Sequence, residues 1–316
     1  MRATKYHDAI SALLARVGGP FFKFCAYNHP HMPRFREAAD RAGFQIRSTS
    51  YYEPTYAADH LPENTDGERK LPGLDLNEER QLSILRQFKW SEELRQIPHR
   101  KPSPAEVGYE PTSYAYGDAD MLYNFVRLFK PRRIVEIGSG DSTLVARLAI
   151  SKNRQEQPSY ECEHICIEPY EMTWLESTGV KVIRERVEHV GMDYFKNLQA
   201  NDILFIDSSH VIRPFGDVLK EFQEIVPIVV PGVVVHVHDI FTPRDYPAKW
   251  LRHDRKLWNE QYLLEAFLAF NNEFEVLAAT NWLAFHHADA LGRTCGYPEK
   301  VLQAYPSSFW FRRKCY

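Results

Sequence analysis

The residues of this chain with the clearest chemical potential sit where apolar runs stop. Ile134, Val135 and Ile137 read as a short buried strand. That strand ends in Gly138-Ser139-Gly140, where the backbone can turn sharply and come close to a ligand. Asp141-Ser142-Thr143 supplies helix-starting residues, and Leu144 to Leu148 opens an apolar helical pattern. A strand, a glycine turn and a helix N-terminus together form a site for a nucleotide-type cofactor.

Two details choose the cofactor. A dinucleotide fingerprint needs a third small residue three positions after the second glycine, and Thr143 stands there. Glu136, just before the first glycine, would repel a pyrophosphate and attract a sulfonium and an α-amino group. Both favour S-adenosylmethionine (SAM). Here the chain resembles the class I SAM-dependent methyltransferases, whose first motif is an acidic residue followed by x-Gly-x-Gly. The resemblance implies cofactor contacts from Glu136, Gly138, Ser139, Gly140, Ser142 and Thr143. Glu168 closes Cys166-Ile-Glu-Pro169 at the next strand end, where an acid accepts ribose hydroxyls. By the same resemblance Arg186 or Val187 borders the adenine. Upstream, Tyr114-Ala-Tyr116-Gly-Asp118 precedes the first predicted helix and lines the methionine end, though Tyr116 could equally be ordinary packing.

Further along, Asp207-Ser-Ser-His210 and His236-Val-His238-Asp239 end two more strand-like runs. Ligands of open α/β sheets sit beyond such ends, and Asp207 also falls in the cofactor set. Methyl transfer to an alcohol needs an in-line oxygen, a base and often a cation that lowers the hydroxyl pKa. The arrangement resembles the metal-dependent O-methyltransferases of catechol and macrolide-sugar type. That resemblance implies His210 as general base beside Asp207, and a divalent cation on Asp207, His238 and Asp239. The family pattern has an oxygen ligand where His238 stands. Magnesium is the family's expectation, whereas an imidazole suits manganese, zinc or iron better. His236 shares the strand parity of His238 and reaches the same site or supports a ligand; both histidines could instead be buried, hydrogen-bonded core residues.

These residues need a scaffold. From about 110 onward strand-like and helix-like segments alternate, the signature of an α/β sheet with crossovers. Predicted strands cover 133–137, 164–168, 180–183, 202–207, 229–238, 274–279 and 308–312, with helices at 118–129, 215–225 and 263–270. The fold class is α/β, a Rossmann-like seven-stranded methyltransferase sheet flanked by helices, and the resemblance implies an antiparallel last strand. Residues 1–105 read as an irregular N-terminal extension rich in Pro, His and Tyr that packs on or caps the catalytic domain. Within it, helices are predicted around Tyr6–Val17 and Leu76–Phe88, and Lys101-Pro-Ser-Pro104 reads as a linker before the methyltransferase domain of 106–316.

Bulk properties narrow the class. A chain of 316 residues, 44% hydrophobic and 26% charged, affords one ordinary catalytic domain with an appended segment. Net charge of -3 gives no basic field for nucleic acid. No apolar run reads as membrane-spanning and the first residues lack a signal-peptide pattern. Five cysteines without metal spacing suggest reduced thiols in a cytoplasmic protein. The expected activity is transfer of a methyl group from SAM to a hydroxyl of a sugar, glycosylated molecule or other polar small molecule. Trp250 and Trp258-Asn-Glu-Gln-Tyr262 suit such an acceptor or pack the core. A homo-oligomer is left open. The alternatives are an NAD(P)-dependent oxidoreductase or epimerase on a Rossmann sheet, and a non-catalytic SAM-binding module.

Overall fold

The computed structural model describes residues 2–48, 54–56, 60–170 and 172–315; Tyr51–Glu53 of the predicted irregular extension fall outside these. Two compact units separate. One is Met1–Thr65 with Arg252–Leu257, the other Asp66–Leu251 with Trp258–Tyr316.

The smaller unit is built on helices Arg2–Asn28 and Pro33–Arg41. The first runs well past the predicted Tyr6–Val17, through Gly18, Gly19 and Pro20. Its side chains Leu13, Leu14, Val17 and Phe21 are exposed. By length and composition alone, His7–Asn28 is apolar and long enough to cross a membrane. The expectation concerned uninterrupted apolar runs, and this helix is not one. Asp8, Arg16 and Lys23 break the apolar run and hid it.

The larger unit carries a seven-stranded sheet in the order β3-β2-β1-β4-β5-β7-β6. The strands are β1 (Arg133–Ile137), β2 (Glu163–Ile167), β3 (Lys181–Ile183), β4 (Ile203–Ile206), β5 (Val234–Val237), β6 (Phe274–Ala279) and β7 (Phe309–Arg313). The first five run parallel, and β7 lies antiparallel to both β5 and β6. Parallel strands are covered on both faces and so read as apolar runs. In β1, Ile134 joins the core beneath helices Asp118–Phe129 and Asp141–Glu156, while Val135 and Ile137 join the opposite core. Successive side chains alternate between faces, so a single strand feeds both cores. The predicted strand 229–238 begins only at Val234 because Pro231 and Gly232 turn the chain first, with Gly232 at φ +90°.

The sheet-bearing unit begins at Asp66, so residues 66–105 belong with it. Helix Glu78–Leu85 packs Ile84 and Leu85 into the same core as Ile134. Lys101, in the predicted linker, is ion-paired to Asp141 at the start of the helix after the glycine turn.

Candidate active site

The carboxyl ends of β1, β2 and β4 are tied to one another. Gly138 N donates to Ile167 O at 3.0 Å, and Asp207 N donates to Ile137 O at 2.8 Å. Gly138 has φ +75°, and a Cβ there would lie 1.8 Å from the carbonyl oxygen of Asp207. Only glycine meets both conditions. Above these ends opens a cavity of about 680 Å³, lined by Gly138 to Ser142, Glu168, Arg186, Val187 and Asp207 among others. That size is in the ordinary range for a cofactor site.

Glu168 stands at the rim. One carboxylate oxygen accepts from Ser139 N at 3.2 Å and the other from Tyr170 N at 2.9 Å. The backbone thus fixes its orientation toward the cavity.

Glu136 behaves differently from the expectation and lies outside the cavity lining. Strand parity turns it, like Ile134, toward the helix above the sheet. There Ser142 Oγ donates to it at 2.5 Å and Thr143 Oγ1 at 2.7 Å, with His164 Nε2 at 3.0 Å and Cys166 Sγ at 3.4 Å. Its charge anchors the helix N-terminus from below and makes no direct approach to a ligand. Thr143 also accepts from Gly140 N at 3.2 Å, so it shapes the turn and lies outside the cavity. Glu136, His164 and Cys166 lie close enough to hold an ion. Burial instead pushes the Cys166 thiol far up, where it donates to Glu136.

Tyr114, rather than Tyr116, lines the cofactor cavity. Its hydroxyl meets His236 Nε2 at 3.3 Å. Tyr116 hydrogen-bonds His99 Nδ1 at 2.7 Å and faces a second cavity. That cavity, of about 550 Å³, is walled by Tyr116, Phe241, Trp250, Phe285 and Tyr305, with Arg244 stacked 3.7 Å from the Phe285 ring centroid. Ser113 lines both cavities.

Where the cavities meet stands the predicted metal set. Asp207 lines the first cavity, and His238 and Asp239 line the second. Ligand atoms of the three lie within 4.8 Å of one another. His238 Nδ1 is 3.5 Å from Asp207 Oδ2 and 3.9 Å from Asp239 Oδ2. On its far side Nε2 faces Asp118 Oδ2 at 3.4 Å, and Asp118 accepts from Ser307 N and Ser308 N. Ser307 Oγ also donates to Asp239 Oδ1 at 3.1 Å. An imidazole with one nitrogen toward a carboxylate and the other toward the ion position is the usual form of a metal-ligating histidine. Burial opposes charge on His238, but Asp239, Asp207 and Asp118 outweigh it and hold the ring well above its ordinary pKa. Burial would raise Asp207; His238 and His210 more than offset it, leaving the carboxyl well below the usual range.

His236 is apart from this set. It is fully buried, stacked on Phe205 at 4.0 Å, and burial holds its pKa well below the ordinary value. It supports Tyr114. His210 lines neither cavity. Its Nδ1 is 2.8 Å from Glu260 Oε2, and its Nε2 faces Asp207 Oδ1 at 3.3 Å. Trp258 packs on the ring at 4.3 Å. Burial works against the charged ring, but Asp207 and Glu260 raise its pKa to about 10. A base must reach the hydroxyl it deprotonates. Set between two acids and behind the cavity walls, His210 is not placed for that role.

Tyr114 and Asp118 lie in the segment expected at the methionine end, whereas the parts played by Glu260 and Ser307 are not apparent from sequence. The available signal was position: Asp118 follows a glycine at a helix start, and Glu260 opens the helix Glu260–Leu268.

Residues 135–240 match the family described as Methyltransferase domain. The sheet order and the cavity above β1 accord with that match, and the central segment is similar to a methyltransferase domain. A protein of Archaeoglobus fulgidus is 30% identical over 138 residues, covering 42% of this chain, and the chain spans 61% of that relative's length. Among solved structures, the O-methyltransferase from Bacillus cereus in complex with SAH is 14% identical, with TM-score 0.37, covering 73% of this chain and 91% of that one. A structure of cmcI-D160 with Mg and SAM is 12% identical, with TM-score 0.33, covering 63% and 72%. These two likenesses are remote, and nothing about this chain's chemistry follows from them.

Proposed function

We propose that this protein transfers the methyl group of SAM to a hydroxyl of a ring-shaped polar acceptor, with a divalent cation at Asp207, His238 and Asp239. The observation that carries the reading is the junction of the two cavities at that trio, with Ser113 common to both walls. A cofactor in the first cavity and an acceptor in the second would meet there.

The lining of the first cavity supports SAM over a dinucleotide. Asp141, Glu168, Glu188, Asp207 and Asp217 face it against Arg186 and Arg213. An acidic wall suits a sulfonium and an ammonium and repels a pyrophosphate. Glu168, fixed by two backbone amides, is the ribose partner. The second cavity offers aromatic faces with Arg244 and Lys249 beside them, which suits a sugar ring or another flat polar acceptor.

The donors present fit a cation, because His238 turns one nitrogen into the trio while Asp118 faces the other. When bound, a cation supplies positive charge that lowers the pKa of an acceptor hydroxyl. The chain's own part is to hold the oxygen in line with the methyl and to exclude water. A base at His210 is set aside on the geometry above.

The test is methyl transfer from radiolabelled SAM to a panel of sugars and phenols, with and without chelator. Incorporation that chelator suppresses supports the reading. If NADH binds and SAM does not, the oxidoreductase alternative replaces it.

A further inference from the structure

Four carboxylates and two imidazoles crowd the junction: Asp118, Asp207, Asp239 and Glu260 around His210 and His238. The two histidines are arranged alike. His238 has Asp118 behind Nε2 and turns Nδ1 to Asp207 and Asp239. His210 has Glu260 behind Nδ1 and turns Nε2 to the same two aspartates, at 3.3 Å from Asp207 Oδ1 and 3.6 Å from Asp239 Oδ2.

Ligand atoms of Asp207, His238 and Asp239 lie within 4.8 Å of one another, and His210 Nε2 faces two of these three residues. Ligands held at about 2.0–2.2 Å from a metal stand about 3–3.6 Å apart when adjacent, and up to about 4.4 Å when opposite. The four histidine–aspartate separations run from 3.3 to 3.9 Å. Asp239 Oδ2 is common to both histidines. His210 and Asp239 also hold left-handed backbone, at φ +59° and +57°. Such conformations cluster where a site dictates the side-chain direction.

We propose that His210 is a fourth metal ligand, so that Asp207, Asp239, His210 and His238 form a two-histidine, two-carboxylate centre selective for manganese, iron, cobalt or zinc over magnesium. The proposal rests on the cation reading above and adds to it a ligand and a metal class. Glu260 and Asp118 then serve as positioning residues, each orienting one imidazole. Magnesium prefers oxygen donors and retains its water, whereas imidazole suits the transition ions.

The test counts imidazoles on the bound ion. Full-length protein is stripped with chelator, loaded with Mn²⁺ or Co²⁺, and examined by pulsed electron paramagnetic resonance for coupling to imidazole nitrogen. Affinity for Mn²⁺ and Mg²⁺ is measured in parallel by calorimetry. Two coupled imidazoles are expected in the wild type and one in His210→Gln or His238→Gln. Mn²⁺ is expected to bind at least about tenfold more tightly than Mg²⁺, and Glu260→Gln to weaken Mn²⁺ about 10–100-fold. One imidazole in the wild type, lost in His238→Gln, would overturn the proposal while leaving the three-ligand cation site intact. No binding of either ion to folded protein would overturn both. Should His210→Gln fail to fold, the wild-type imidazole count decides the matter by itself.

Discussion

Gly138 and Asp207 are in such close contact that a methyl group on the first would penetrate the carbonyl of the second, at 1.8 Å. The glycine turn that shapes the first cavity therefore also sets the position of Asp207, the aspartate of the proposed cation site. Under the proposed function, cofactor and cation would be coupled through this one backbone contact. Gly138→Ala is expected to lower stability by at least about 2 kcal/mol, since it meets both a steric clash and a positive φ. It should weaken Mn²⁺ and S-adenosylhomocysteine binding together. Thermal unfolding with each ligand alone checks this; loss of one response with the other untouched would break the coupling.

Glu136 and Glu168 separate structure from binding. Glu136→Ala leaves Ser142, Thr143, His164 and Cys166 without their shared partner. A loss of about 2–4 kcal/mol in denaturant unfolding is expected, because several buried polar groups lose their acceptor at once. Glu168→Ala, at the cavity rim, should cost little stability and weaken S-adenosylhomocysteine about 10–100-fold. Equal effects of the two substitutions on binding and on stability would count against this division.

The aromatic walls of the second cavity are expected to act on the acceptor alone. Trp250→Ala and Phe285→Ala should raise the acceptor KM about tenfold or more, with the KM for SAM unchanged. Steady-state kinetics with either substrate varied distinguishes this from general damage, which would lower kcat and thermal stability alike.

The sheet was legible from the sequence because parallel strands buried on both faces spell out apolar runs. Strands 133–137 and 274–279 match their predicted limits, and the closing strand is antiparallel as implied by the resemblance. The glycine turn, Glu168 and the Asp207, His238, Asp239 trio were legible too, since each stands at a strand end. Side-chain direction was harder to read. Glu136 was taken toward the ligand, although its parity with Ile134 turns it under the helix. The resemblance implies a base at His210, and sequence cannot show Glu260 arriving from 50 residues away. The segment 114–118 is legible as part of the site, but a loop has no fixed period, so that Tyr114 lines the first cavity and Tyr116 the second could not be read from it.

The most direct measurement of the central claim is a calorimetric titration of S-adenosylhomocysteine into the wild type and into Glu168→Ala. One site per chain in the wild type, weakened about tenfold or more by the substitution, is the expected result. Absence of binding, or binding that Glu168→Ala leaves unchanged, would contradict the assignment of the cavity above β1 to SAM.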